Sequence, residues 1–373
     1  MVVAASVVVA VGTAAGMISA LDDEAASDEA RPEVTYSPRL QDLPVSPPPS
    51  SASPSPSASP SPTKKKTSPK PTPKKSTRAP STAAVSTQLY RHPQSQVLDW
   101  VRANAGDSRH GVIQSRIAAQ PAAVWFADFT PDNITVRVRA VTSGGAAQGR
   151  TPVVVAYTIP DRDCGGASQG GAPSLAAYDD WIDRFAAGLG SGSVIVILEP
   201  DSIAQAECLS SGERAARFAS LARAGRVLKA ANPNARVYYD AGHSGWHAPG
   251  KQAGWLRQAG AASAASSDGI FSNVSNFHTT AAEVAYARQV LAALGGPASL
   301  GAVIDTSRNG NGAPADGEWC DPDGRALGRT PTLSTGEARI DGYLWVKLPG
   351  ESDGCKGTPG TFSASYAYEL ASS

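Results

Sequence analysis

The sequence predicts an α/β fold, a closed or nearly closed parallel barrel. Three observations predict it. Six short apolar runs each stop at a polar or acidic cluster: VVVAYTIPDRDCGG (Val153–Gly166), VIVILEPDSI (Val194–Ile203), ARVYYDAGHSGWH (Ala235–His247), GIFSNVSNF (Gly269–Phe277), GAVIDTSRNGNG (Gly301–Gly312) and GYLWVKLPGESDG (Gly342–Gly354). Helix-like segments lie between most of them, so buried strands and helices alternate as βα units on a parallel sheet. The polar clusters all follow the apolar runs, and in a parallel barrel all strand C-termini open on the face that holds the chemistry. That face gathers Asp163, Asp201, Asp240 and Asp353, with Trp246 and Trp319 nearby. Carboxylates and indoles in one groove suit a sugar polymer.

The chain divides by composition. Residues 1–21 carry no charge, and Val2–Leu21 is long enough and apolar enough to cross a bilayer. The run reads as an export signal, cleaved or retained as an anchor. Residues 22–87 begin acidic and continue as a Pro, Ser, Thr and Lys-rich stretch that cannot bury enough apolar surface to fold. They read as an extended spacer. Its lysines either attract an acidic cell wall or lipid surface or simply keep the spacer soluble. Residues 88–373 carry the folded domain. Formal net charge is zero, so no global field draws the chain to nucleic acid.

Within the folded part, Ser95–Asn104 reads as a capped helix and Val112–Ala119 as a second. Ala123–Phe129 and Ile134–Val141 read as strands, the latter because it alternates apolar and charged residues. Tyr178–Leu189 has apolar residues at helical spacing. Glu213–Ala231 is a long helix that Ser210 and Glu213 start as a capping box and Asn232-Pro233 stops. Thr280–Leu294 repeats the device with Thr280 and Glu283.

Four cysteines, Cys164, Cys208, Cys320 and Cys355, behind an export signal suggest two disulfides. Three pairings exist. Sequential pairing, Cys164–Cys208 and Cys320–Cys355, closes loops of about 35–45 residues, each contributing roughly 4 kcal/mol in the chain-entropy model. Both bridges would pin loops that carry carboxylates. No C-x-x-C supports a zinc site.

Glu199-Pro200-Asp201 follows a buried strand, where burial raises a carboxyl pKa and suits a general acid. A plain helix-capping role is the alternative. Asp161-Arg162-Asp163 offers either a structural ion pair or a carboxylate that holds the Asp201 proton by like-charge repulsion. Lys347, Glu351 and Asp353 form a third cluster. His243 and His247 are four apart, but Gly245 and Pro249 argue against the helix a metal pair would need.

Read together, AYTIPDRDCGG, ILEPDSIA, YYDAGHSGWH, VIDTSRNG, GEWCDP and WVKLPGESDGC resemble glycoside hydrolase family 6, the inverting cellulases, in order and spacing. The resemblance runs from about Gln88 to the end. It implies a distorted, incompletely closed parallel barrel and hydrolysis of β-1,4-glucosidic bonds. It implies that Asp201 is the general acid, Asp163 the modulator of its pKa and Asp353 the proposed base, acting directly or through water. An inverting pair is expected about 6.5–9.5 Å apart. Tyr157 is implied to press the sugar toward a distorted ring. Asp240, His243, Asn273, Asn276, Lys347 and Glu351 are implied to bind sugar, as are the platforms Trp125, Trp246 and Trp319. His278 lines the same cleft. Trp100, Trp181, Trp255 and Trp345 read as packing residues. No cofactor or metal is expected, and a monomer is the default. The run after Cys355 and the folded part are short for the family, which predicts an open cleft and internal cleavage. Aromatics are sparse before Gln88, so amorphous glucan is expected rather than crystalline cellulose.

Overall fold

The computed structural model describes residues 88–166 and 168–373, which belong to the compact unit Arg78–Ser373. The expected export segment and spacer, residues 1–21 and 22–87, lie outside the described residues.

Seven strands form one sheet: β1 (Val124–Phe126), β2 (Val153–Ala156), β3 (Val194–Leu198), β4 (Ala235–Asp240), β5 (Gly269–Ser272), β6 (Gly301–Asp305) and β7 (Ile340–Leu344). Every strand pairs in parallel with the next in sequence, so the sheet order follows chain order from β1 to β7. The strands read as unbroken apolar runs because both faces are covered. Val153, Val155, Ile195, Ile197, Tyr238, Phe271 and Val303 fill the interior. Their neighbours Val154, Val196, Val237, Ile270, Ala302 and Ile304 face outward against the helices. Gly269 sits at φ 142° opposite Gly301, where a Cβ would run into the Gly301 carbonyl. Adjacent backbones therefore approach there only because no side chain intervenes.

The curl does not close by a ladder between β1 and β7. The two edges meet where the Ala123 amide donates to the Trp345 carbonyl at 2.9 Å. The Trp125 indole Nε1 spans the same seam to the Val346 carbonyl at 2.7 Å.

The helices are α1 (Gln96–Ala103), α2 (His110–Ile113, continued by a π-turn over Gln114–Ala118), α3 (Ile134–Ala147), α4 (Leu175–Ala187), α5 (Ser211–Ala231), α6 (Pro249–Gln258), α7 (Thr280–Leu294) and α8 (Ala364–Ser372). Ser95 caps α1, and Ser210 with Glu213 forms the expected capping box of α5. Two expectations are corrected. Ile134–Val141 is the first half of α3 and not a strand. Its buried residues Ile134, Val138, Val141, Thr142 and Gly145 fall at helical spacing, while Val136 is 71% exposed. A parallel connection from β1 to β2 also requires a crossover of this kind. At α7 the cap is Thr279, which accepts from the Ala282 amide, and not Thr280. Glu283 instead reaches across to accept from the Ser244 amide at 2.8 Å.

Trp181 and Trp345 are buried, and Trp100 and Trp255 pack half-buried against the core, as expected of packing residues. Among the described residues, no helix is long and apolar enough to cross a membrane.

Candidate active site

The strand C-termini open into a solvent-accessible trough of about 1390 Å³. Asp201 enters it from the loop after β3, and Tyr157 and Asp163 from the loop after β2. Lys347, Glu351 and Asp353 enter from the loop after β7. Trp125, Trp246 and Trp319 line it as well, as do His243, Asn276 and His278. Trp319 is 55% exposed at its rim.

The trough wall is built from backbone that ordinary residues avoid. Among the described residues, nine non-glycine residues have positive φ, and eight of them sit in the loops around this face: Asp161, Asp163, Cys164, Glu199, Asp201, Asn273, Ser275 and Asp321. Such conformations cost of order 1–3 kcal/mol each and persist only where surrounding contacts over-determine them. Here buried strand-end carboxylates do so. Glu199 accepts from the Thr158 and Ile159 amides, both at 3.0 Å, tying the β3 loop to the β2 loop. Asp240 accepts from Ile203 at 3.0 Å, Ala204 at 2.8 Å and Gly242 at 2.9 Å, tying β4 to the loop that carries Asp201. Asp305 accepts from the Lys347 amide at 2.8 Å and the Ser307 amide at 2.9 Å.

Asp240 is therefore not placed where the resemblance implied. Its side chain is buried and its oxygens are taken by main-chain donors. Asn273 is likewise buried: its Nδ2 donates to the His278 and Asp305 carbonyls, and its Oδ1 accepts from the His278 amide. Both lie behind the trough wall rather than on it. A polar residue at a strand end can serve the solvent side or the loop beneath it, and the motif alone does not separate the two.

The Asp201 carboxyl is pushed well above the ordinary aspartate range. Burial is the largest cause, the Asp240 carboxylate the second and Asp163 the third, against a hydrogen bond from the Tyr157 hydroxyl. A carboxyl held protonated in this way can donate to a leaving oxygen. Asp163 is itself fixed: Oδ1 accepts from Gln205 Nε2 at 2.9 Å and Oδ2 from the Ser168 amide at 2.7 Å. Tyr157 stacks edge-on against Trp125 at 5.2 Å, beneath the Arg162 guanidinium at 4.4 Å.

Asp353 is held by two cations. Arg308 Nη1 donates to Oδ2 at 2.6 Å, and Lys347 Nζ pairs with Oδ1 at 2.9 Å. Asp321, which the sequence reading passed over, anchors this loop. It accepts from the Asp353 amide at 2.8 Å, Lys356 at 2.9 Å, Cys355 at 3.1 Å and the Ser352 hydroxyl at 2.5 Å. Burial alone would raise its pKa, but these donors outweigh it and hold the carboxyl at about 2. Its place beside Cys320 in GEWCDP is the sequence signal that could have found it.

Both sequential disulfides form. Cys164–Cys208 joins the Asp163 loop to the segment after Asp201, and Cys320–Cys355 joins the Asp321 loop to the Asp353 loop. His243 stacks on His278 at 4.3 Å, and burial, His278 and His247 hold its pKa down near about 3. His247 Nε2 lies 2.8 Å from the Ala204 carbonyl. Among the described residues no cluster of His, Cys, Asp or Glu could hold a metal ion.

A singly wound parallel barrel with a buried carboxyl of raised pKa, a second carboxyl in the same trough and indoles along it is the arrangement of a carbohydrate-cleaving hydrolase. Residues 81–371 match the sequence model of the family described as Glycosyl hydrolases family 6. The chain is 51% identical over 294 residues to Endoglucanase 1 of Streptomyces sp. strain KSM-9, covering 79% of this chain and 80% of that protein. It is 48% identical over 289 residues to Endoglucanase A of Thermobispora bispora, covering 77% of this chain and 62% of the other. The structure of the endoglucanase Cel6 of Mycobacterium tuberculosis, in complex with methyl-cellobiosyl-4-deoxy-4-thio-β-D-cellobioside, superposes with a TM-score of 0.71 at 38% identity. That likeness covers 77% of this chain and 97% of the other. The 1,4-β-D-glucan cellobiohydrolase C of Emericella nidulans is similar at 29% over 324 residues, covering 73% of this chain and 69% of that protein. The chain belongs to glycosyl hydrolase family 6.

Proposed function

We propose that this protein is an endo-acting β-1,4-glucanase that cleaves with inversion. The observation that carries the reading is the pairing, in one trough, of Asp201, buried among other carboxyls, with Asp353, held by Arg308 and Lys347. Asp201 gives its proton to the glucosidic oxygen as the bond to the anomeric carbon breaks. Water attacks that carbon from the opposite face and loses its proton toward Asp353. The Arg308 and Lys347 pairs occupy both Asp353 oxygens, which favours transfer through a further water or after Lys347 turns to the sugar. Tyr157 beside Asp201 is placed to press on the ring undergoing cleavage. Trp125, Trp246 and Trp319 present flat faces to the C–H faces of glucose.

Internal cleavage is supported by the large trough and by the greater identity to Endoglucanase 1 and Endoglucanase A than to the cellobiohydrolase. Carboxymethylcellulose tests it: viscosity should collapse while few reducing ends appear. Reducing ends that rise at constant viscosity would establish exo action instead. Asp201→Asn should lower kcat by roughly 10²–10⁴-fold while cello-oligosaccharide binding persists. Unchanged turnover would remove Asp201 from the acid role.

The apolar stretch Val2–Leu21 and the two disulfides support export, with the mature chain secreted or anchored at the outer face of the membrane. Fractionation of the producing cells tests this; a wholly cytosolic enzyme would refute it.

A further inference from the structure

The first residue of α1, Gln96, lies more than 250 positions from Glu351 in sequence and touches it in space. Its amide makes three bonds to one segment. Nε2 donates to Glu351 Oε1 at 2.9 Å and to the Gly360 carbonyl at 2.7 Å, and Oε1 accepts from the Phe362 amide at 2.9 Å. These partners fix the amide's orientation, because two acceptors face the nitrogen and one donor faces the oxygen. The segment so held is a narrow antiparallel loop. Ser352 donates to the Thr361 carbonyl at 3.0 Å, Gly360 to the Ser352 carbonyl at 2.9 Å and Ser363 to the Gly350 carbonyl at 2.8 Å. Asp353 rides on this loop, and Gln96 and Glu351 both line the trough.

We propose that Gln96 is a positioning residue that fixes Glu351 and the Asp353-bearing loop whatever the charge on Glu351. The proposal rests on the functional reading above for what the loop does, but not for what holds it. The choice of an amide matters. Its N–H can donate to a carboxylate and also, more weakly, to the carbonyl oxygen of a carboxylic acid. A carboxyl at position 96 would set oxygen against both Glu351 and the Gly360 carbonyl, and only a shared proton would relieve the first of these clashes. The other charged and titratable groups around Glu351 are Lys347 and, through it, Asp353, with Arg91 and His92 on the side of the small cavity behind it. Burial raises the Glu351 carboxyl to about 7, against the Lys347 charge and the Gln96 bond, so its charge changes within the working range.

The test uses the full chain and compares native protein, Gln96→Glu, Gln96→Ala and the double variant Gln96→Glu/Glu351→Gln. Thermal unfolding is followed from about pH 5 to about pH 9, and kcat and KM are measured on a cello-oligosaccharide. A carboxyl pair sharing a proton has a raised pKa in the fold, so its stability is present at low pH and lost as pH rises through that value. Gln96→Glu should therefore approach the native Tm at the acid end and fall progressively below it above about pH 7. Its kcat/KM at the alkaline end should drop roughly tenfold. Replacing Glu351 by Gln in the same chain should abolish that pH dependence. Gln96→Ala should raise KM several-fold at every pH. The proposal is overturned if Gln96→Glu tracks the native chain at all pH, if the double variant keeps the alkaline loss, or if Gln96→Ala leaves KM unchanged. Should the native chain turn over no β-1,4-glucan, the functional reading fails while the unfolding series still decides the role of Gln96.

Discussion

Asp201 and Asp240 show how two carboxyls at neighbouring strand ends divide their work. Asp201 faces the trough with its carboxyl pKa pushed up, first by burial; Asp240 sits behind it, bonded to main-chain amides, and its charge is the second cause of that rise. Asp163 adds a smaller push from the other side. With Asp201 as the proposed general acid, its acid form is the working form, and activity should fall as pH rises through its raised pKa. Asp163→Asn removes one of the repelling charges. The alkaline limb of the kcat/KM profile should then move to lower pH, and a limb that stays in place would show that Asp163 acts by position alone. From the sequence, the residues Asp201 and Asp163 were legible through EPDS and DRDC, whereas the burial of Asp240 and Asn273 was not. Both stand in motifs as polar as the others, and only the path of the loop decides whether a side chain meets solvent or the amides beneath it.

At the scale of elements, the loops after β2, β3 and β7 are precise because they are tied three ways: by strand-end carboxylates, by disulfides and by Asp321. Cys320 and Cys355 bring Asp321 directly under Asp353. Replacing both cysteines by serine should destabilise the fold by about 4 kcal/mol in the chain-entropy model, read by denaturant unfolding. Turnover under native conditions should fall as well, since the Asp353 loop loses one of its ties. Full activity in that variant would mean that Asp321 and Lys347 suffice. The strands were readable because a sheet covered on both faces demands apolar runs without alternation. Alternation, the mark of a half-buried strand, misled at TVRVRAV, where it belongs to a helix with Val136 turned to solvent and Ile134, Val138 and Val141 turned inward. Periodicity over seven residues does not distinguish a period of two from one of 3.6 when an apolar residue happens to be exposed. The cap of α7 shifted by one residue for a comparable reason: two threonines stand in succession, and either can start a helix.

At the scale of the molecule, strand order follows chain order, so each βα unit leans only on its neighbours until the last must meet the first. Between the strands themselves that meeting is slight, a main-chain bond from Ala123 to Trp345 and the Trp125 indole reaching Val346, while α1 and α2 pack on α8 around Val101, Ile113, Ile117 and Ala367. Trp125 also faces the trough. A glucose ring resting on its indole would thus lie over the seam where the first strand meets the last. The polymer then serves as a clasp on its own enzyme, and occupancy should tighten the circumference at little expense to the rest of the fold. Hydrogen exchange can see this: the Ala123 amide should slow markedly when a cello-oligosaccharide is bound, while amides in the middle of β3 and β4, already sealed, should not respond. Equal slowing across all strands would place the tightening elsewhere.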